Sequence, residues 1–178
     1  HKMYGVYLYS GGTFNLHSYK LSLTASNPID NSGTFNMTTG MVEYNGTSAQ
    51  SVSTTNITYN KLRISNSAGT YLPGAVTVND TLSVILGDLN LNGFILTMPP
   101  SGYLAETSGN TVTGSSGYIT TTRSLNAPSA VNVGGLGAVL TTGVNLGSTE
   151  IRRGHAVQNG LNGNSSILRY FDITPTTN

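Results

Sequence analysis

The 178-residue chain contains no cysteine and no tryptophan, and only 8% of its residues are charged. Without cysteine it can form neither disulfide bonds nor thiolate metal sites. Scarce charge also argues against exposed helices, whose solvent side is normally rich in Glu, Lys, Arg and Gln. The chain is instead rich in glycine, with 22 residues, and in Asn, Ser and Thr. These residue types suit strands and turns, and we therefore expect an all-β fold.

Charge is balanced as well as sparse, with eight Lys and Arg against seven Asp and Glu. Nucleic-acid binding requires clustered Lys and Arg to neutralise phosphates, so we expect no nucleic-acid partner. The longest weakly polar run covers residues 131–144 and is interrupted by Gly, Thr and Asn. Because a spanning helix needs about 20 apolar residues, we also expect no membrane insertion.

A five-residue motif occurs three times. It reads Gly-Thr-Phe-Asn-Leu from Gly12, Gly-Thr-Phe-Asn-Met from Gly33 and Gly-Asp-Leu-Asn-Leu from Gly87. The alternation of apolar and polar residues predicts a short strand with one buried side. The first two occurrences are 21 residues apart (12 to 33), which is close to the length of one coil of a parallel β-solenoid.

This spacing predicts a right-handed parallel β-solenoid over residues 1–98. Residues 99–178 are predicted to form a β-rich segment that either caps the open end of the coil or begins a β-sandwich. Coils in register would stack Phe14, Phe35 and Leu89 in one interior column. The asparagines that follow these residues would face solvent: Asn15, Asn36 and Asn90.

Two groups of residues are candidate binding sites. Tyr7 and Tyr9 alternate with Val6 and Leu8 and should share one exposed face, where their rings could stack on sugars. The alternative is that they cover the edge of the first coil or contact a preceding repeat.

The second group is Arg152, Arg153 and His155, which read as an anion or sugar-acid site. The alternative is structural, with the arginines pairing with Glu150 and Asp172 between neighbouring strands. Alternate strand positions face opposite ways, which favours the structural interpretation.

Catalytic residues are not predicted. The seven carboxylates are scattered along the chain, and Asp80 and Asp88, the nearest pair in the solenoid, read as turn residues. His17 aligns with Asn92 of the third motif and also reads as a corner residue. No motif supports a cofactor, although a calcium ion held by backbone and Asn or Asp oxygens is left open.

Several segments resemble large secreted surface proteins of Bacteroidota-type bacteria. The matching segments are 45–50, 61–69, 89–93, 122–128, 135–138, 145–149, 152–155 and 169–175. The resemblance implies an extracellular, adhesin-like or stalk-like architecture exported by the type IX route, with a sorting domain further downstream. It also implies that Asp80-Thr81-Leu82 is an O-glycosylation signal, with Thr81 as the acceptor.

The expected function is therefore that of a rigid, non-enzymatic segment of an exported bacterial surface protein. Its partners would be surface glycans or neighbouring solenoid domains. Two alternatives remain. The chain could be a carbohydrate-binding or carbohydrate-active β-helix module, or it could be the subunit of an extracellular filament.

Overall fold

A computed structural model of the chain describes residues 1–158 and 168–177. The fold is 52% strand and 2% helix and forms a parallel β-solenoid of about six turns, which confirms the predicted fold class. The described helical residues form a 3₁₀ turn at Val133–Gly135. The strands are β1 (Lys2–Met3), β2 (Val6–Leu8), β3 (Thr13–His17), β4 (Lys20–Leu23), β5 (Ile29–Asn31), β6 (Thr34–Met37), β7 (Met41–Tyr44), β8 (Gln50–Ser51), β9 (Tyr59–Ser65), β10 (Thr70–Tyr71), β11 (Val76–Leu86), β12 (Leu89–Asn90), β13 (Ile95–Met98), β14 (Tyr103–Glu106), β15 (Val112–Thr113), β16 (Tyr118–Asn126), β17 (Val131–Asn132), β18 (Val139–Leu140), β19 (Asn145–Gly154) and β20 (Tyr170–Pro175).

The first face of the solenoid is a continuous parallel ladder of β4, β7, β9, β11 and β14. Equivalent positions recur every 20 to 22 residues, at 20, 41, 61, 81 and 103. The next position in each strand points inward and is at most 2% exposed. Full burial of such a side chain stabilises the fold by about 1.5–3 kcal/mol, so this column is a main source of stability. Its members are Leu21, Val42, Leu62, Leu82 and Leu104.

A second inward column runs along the same face, two residues further on. It contains Leu23, Tyr44, Ile64 and Val84, all 0% exposed. The register of β11 and β14 places Glu106 beside Val84, at the next position of this column. A carboxylate therefore stands where four successive coils carry apolar or aromatic side chains.

The second face is built from the β2–β5 pair and the β8–β10–β12–β15 sheet. The third face is built from the β3–β6 pair and from the ladder that joins β11, β13 and β16. On this face Phe14 lies opposite Phe35 with ring centroids 5.0 Å apart, as predicted. The predicted outward asparagines are also confirmed as exposed: Asn15, Asn36 and Asn90. The first two are joined by a 3.0 Å hydrogen bond.

The predicted place of Leu89 in the phenylalanine column is wrong. Leu89 lies on the second face, where it pairs with Thr70 and Val112. The motif specifies a strand followed by a corner, and a solenoid coil has several corners that can use it. His17 and Asn92, which align in the first and third motifs, share a φ of 52° and so turn the chain in the same way. Their predicted role as corner residues is therefore confirmed.

Parallel pairing continues past residue 98, the predicted end of the solenoid. β14 and β15 join the first and second faces, and residues 118–121 of β16 pair in parallel with β13. β16 then pairs antiparallel with β19, and β19 pairs antiparallel with β20. The C-terminal segment thus extends one sheet of the coil as an antiparallel layer. Within residues 1–158 and 168–177, no helix is long and apolar enough to cross a membrane.

Candidate functional site

The buried charge at the C-terminal end of the coil is the first candidate site. Arg153 lies opposite Ile119 across the β16–β19 pairing and therefore faces the interior, where it is 0% exposed. Its guanidinium donates to both carboxylate oxygens of Glu106, at 2.9 Å from Nη1 and 2.6 Å from Nη2. This two-point geometry matches the guanidinium fork to the carboxylate and gives the strongest form of the pair.

Neighbouring groups add further hydrogen bonds to the pair, although Arg153 Nε has no partner in the described part of the chain. Glu106 Oε1 also accepts from the Thr111 hydroxyl at 2.6 Å and from the Val112 N–H at 2.8 Å. Arg153 also donates to the Leu136 carbonyl at 3.2 Å. Burial alone would raise the pKa of Glu106, but the hydrogen bonds from Arg153, Thr111 and Val112 and the Arg153 charge hold it below its usual value. The carboxylate therefore remains ionised although it lies largely inside the fold.

Beside this pair lies a cavity of about 740 Å³ whose lining includes Thr111, His155 and Arg169. Arg169 donates to the Thr111 hydroxyl at 3.1 Å and lies 3.8 Å from Glu106 Oε2. Burial, followed by the charges of Arg153 and Arg169, lowers the pKa of His155 to about 4. His155 is thus neutral at pH 7, and its buried Nε2 has no hydrogen-bond partner within the described part of the chain.

The structure does not bring Arg152, Arg153 and His155 to one pocket. Arg152 faces outward, opposite Asp172 on β20, with its guanidinium 3.0 Å from Glu150 and 4.9 Å from the centre of the Tyr118 ring. Arg153 faces inward and pairs with Glu106 rather than with Glu150 or Asp172. Of the three predicted residues, His155 alone lines the cavity.

Tyr7 and Tyr9 are both exposed to solvent, and Tyr9 directly follows β2. Their side chains are 62% and 83% exposed, whereas Val6 is 6% exposed and Leu8 packs against the core. Tyr7 also lines a groove on the second face. The predicted glycosylation acceptor, Thr81, lies within β11, and its hydroxyl donates to Asp80 Oδ1 at 2.8 Å.

Sequence reasoning missed Glu106, Thr111 and Arg169. Glu106 could have been found from its 22-residue spacing from Val84, which places it in an inward column. A buried carboxylate is stable only beside a cation, so this position predicts a basic partner. The spacing is visible only when the solenoid is extended beyond residue 98. No sequence pattern indicates Thr111 or Arg169. They contact Glu106 only because the end of the coil folds in a way that local sequence does not specify.

Other carboxylates are engaged in structural contacts. Glu43 accepts from Lys20 at 2.8 Å and from Ser22 at 2.6 Å, and these bonds, together with the Lys20 and Arg63 charges, outweigh burial and lower its pKa. Asp80 lies 3.5 Å from Lys61, and Asp88 accepts from the Thr111 N–H at 2.8 Å. Among the residues with described positions, no group of three or more His, Asp or Glu could hold a metal ion.

Comparison with known proteins gives no match. No protein-family model matches the chain, and neither a curated protein nor a solved structure matches it.

Proposed function

We propose that this chain is a rigid, non-enzymatic spacer in an exported bacterial surface protein, with a stalk-like or adhesin-like role. The observation that carries the proposal is the first face, where every strand from β4 to β14 is hydrogen-bonded to the next in parallel register. Since each coil bonds directly to its neighbour over an apolar column, bending would break several contacts at once.

Buried amides also bind the coils together. Gln50 and Asn66 are both 0% exposed. Gln50 donates to the carbonyls of Leu23 and Ala25 in the preceding coil and accepts from Asn66 Nδ2 in the next. Removing such a partner would leave a buried polar group unsatisfied, at a cost of about 1–3 kcal/mol. This network therefore supports a coil with little freedom between turns.

The pairing of the acidic residues supports the proposal that the chain is not an enzyme. Four of the seven acidic residues are paired with a cation: Glu43, Asp80, Glu106 and Glu150. The other three come from elements that do not pair with one another: Asp30 from β5, Asp88 from the corner after β11, and Asp172 from β20. A glycoside hydrolase needs two carboxylates that are free to face one substrate. The surface location and type IX export rest on the resemblance of the repeat and post-solenoid segments.

Rigidity can be measured directly because the chain has no native cysteine. Spin labels on a Ser18→Cys/Ser115→Cys variant would report the distance between the first coil and the C-terminal end by pulsed electron resonance. A rigid spacer gives one narrow distance distribution, and a broad or multimodal distribution would overturn the proposal. Surface location is checked by antibody labelling of intact source cells, and labelling that appears only after lysis would contradict it.

An open edge favours a second role, as a filament subunit. Among the strands that the structure describes, β1, β2 and β3 each pair on one side only, with β4, β5 and β6 respectively. Unpaired parallel edges can accept a strand from another molecule. Sedimentation velocity at rising concentration would detect such assembly, and a sedimentation coefficient that does not change with concentration would exclude it.

A further inference from the structure

A groove of about 320 Å³ crosses the second face of the solenoid. Its wall is made by Tyr7 from the first coil, Asn27 and Asp30 from the second, and Ser51, Ser53 and Thr54 from the third. This volume lies within the range of small-molecule sites. With coils about 4.8 Å apart, the groove extends about 10 Å along the solenoid axis, which suits a short oligosaccharide.

One side of the groove is aromatic. Tyr7 lies opposite Asp30 in the β2–β5 pairing, so the ring and the carboxylate project from neighbouring coils on the same side. The ring is 62% exposed. A large exposed aromatic ring that adjoins polar groups can bind the apolar C–H face of a sugar while the polar groups bind its hydroxyls.

The polar side of the groove has unused hydrogen-bonding capacity. Ser51 and Ser53 are only 8% exposed, yet their hydroxyls make no hydrogen bond to another described residue. The side chains of Asn27 and Asp30 likewise have no partner in the described part of the chain. The Ser51 and Ser53 hydroxyls nevertheless reach solvent, and Asn27 and Asp30 are exposed, so all four groups are open to the groove and can exchange bound water for the hydroxyls of a ligand.

We propose that this groove binds a neutral saccharide. One sugar ring stacks on Tyr7, its hydroxyls donate to Asp30, and further hydroxyls exchange hydrogen bonds with Ser51 and Ser53. The lining residues carry one negative charge, from Asp30, and no positive charge. An acidic sugar would therefore meet repulsion without compensation. Such a groove would give a spacer a point of attachment to a glycan. Saccharide binding here does not require the coil to be rigid.

The test uses the intact chain and a panel of neutral oligosaccharides with β-glucan, mannan, xylan and chitin linkages, with oligogalacturonate as the acidic comparison. We expect saturable binding to at least one neutral member by isothermal titration calorimetry and none to oligogalacturonate. Tyr7→Ala should weaken that binding by about tenfold or more. Tyr7→Phe keeps the ring and should retain most of the affinity.

Tyr9→Ala is the matched control, because Tyr9 is 83% exposed and two residues from Tyr7 but does not line the groove. It should bind like the parent chain. Asp30→Asn keeps the size of the side chain and should also weaken binding, which provides a second variant if Tyr7→Ala fails to fold. Binding to no neutral member, equal losses in the two tyrosine variants, or preference for oligogalacturonate would each overturn the proposal. The spin-label distances would be unaffected by any of these results, so the two proposals fail separately.

Discussion

Glu106 and Arg153 lie 47 residues apart in the sequence and form a two-point ion pair with nitrogen–oxygen distances of 2.6 and 2.9 Å. Glu106 comes from the last strand of the first face, and Arg153 comes from the antiparallel layer. An unpaired carboxylate at this depth would cost several kcal/mol, so the pair is stable only when both elements are in place. It thereby couples the end of the coil to the layer that follows it.

Replacing Arg153 should therefore destabilise the whole chain. Arg153→Met removes the two-point partner of Glu106 and leaves only the longer, partly exposed contact with Arg169 at 3.8 Å, and we expect the free energy of unfolding to fall by up to about 3–5 kcal/mol. Urea denaturation followed by circular dichroism measures the change. Arg152→Met is the control, because Arg152 is exposed to solvent, which screens its pairing with Glu150, and the variant should be nearly as stable as the parent chain.

The double variant Glu106→Leu/Arg153→Met tests the cause of that loss. Leucine at position 106 continues the apolar column of Val84, and apolar replacement of a buried ion pair is often neutral or stabilising. We expect the double variant to recover part of the lost stability, because the buried Val112 N–H loses its acceptor when Glu106 is replaced. If it is no more stable than Arg153→Met alone, the buried-charge explanation is wrong.

The stacking of Phe14 on Phe35 could be predicted because the 21-residue spacing equals one coil and both strands follow the same local motif. The third motif led to the wrong prediction for Leu89, for a physical reason. Its strand and corner are the same, but the corner at Asn92 belongs to another face of the coil than the corner at His17. Local sequence determines the bend of the backbone, whereas the face depends on the total length of chain since the previous coil.

The ion pair and the groove could not be predicted for a related reason. The inward orientation of Glu106 depends on the 22-residue step from Val84, and the approach of Arg153 depends on an antiparallel register that no local pattern specifies. The groove likewise requires Tyr7, Asp30 and Ser53 from three different coils. Alternation did place Tyr7 on the solvent side, but its polar neighbours appear only when the coils are stacked.

Close stacking of coils also makes one glycine indispensable. Gly87 has a φ of 74°, and an added Cβ would overlap the carbonyl oxygen of Asn66. Gly109 has a φ of 81° with nothing within 4 Å of its Cβ position. Left-handed strain should cost either alanine variant about 1–2 kcal/mol. Overpacking should add about 1–3 kcal/mol for Gly87→Ala alone. Urea denaturation measures both variants. Equal losses of unfolding free energy in Gly87→Ala and Gly109→Ala would show that overlap with the neighbouring coil does not destabilise the chain.

His155 should make stability depend on pH in mildly acidic solution. Its pKa is about 4 in the folded chain against 6.5 for an ordinary histidine. Between these values the unfolded chain binds a proton that the folded chain does not, so the free energy of unfolding falls as pH falls. The decrease should approach about 1.4 kcal/mol per pH unit from pH 6 to pH 5. Urea denaturation at several pH values measures it.

His155→Gln should remove most of the slope between pH 6 and pH 5, because glutamine does not titrate and the carboxylates with lowered pKa values, Glu43 and Glu106, add their loss mainly below pH 5. His17→Asn is the matched control, since it removes an exposed histidine and keeps a residue that Asn92 shows to be compatible with the same corner. It should retain the slope of the parent chain. A slope that survives in His155→Gln would assign the pH dependence to another group.

The buried tyrosine pair should limit stability in alkali. The hydroxyls of Tyr44 and Tyr59 are 2.7 Å apart, the Tyr44 oxygen accepts from the Ser53 N–H, and Tyr59 donates to the Ser53 carbonyl. Burial raises the pKa of Tyr44 to about 12 and also raises the pKa of Tyr59. Because the folded chain holds both protons more tightly, this stability is complete below pH 10 and is lost as pH rises towards 12.

Tyr44→Phe should therefore have two effects. At pH 7 it leaves the Ser53 N–H without its acceptor and should cost about 1–3 kcal/mol of unfolding free energy. Above pH 10 its stability should fall less steeply than that of the parent chain, because one buried titrating group is gone. Tyr71→Phe, at a position that is 38% exposed, should change neither quantity. Parallel losses of stability between pH 10 and pH 12 in the parent and Tyr44→Phe would mean that alkaline unfolding begins elsewhere in the coil.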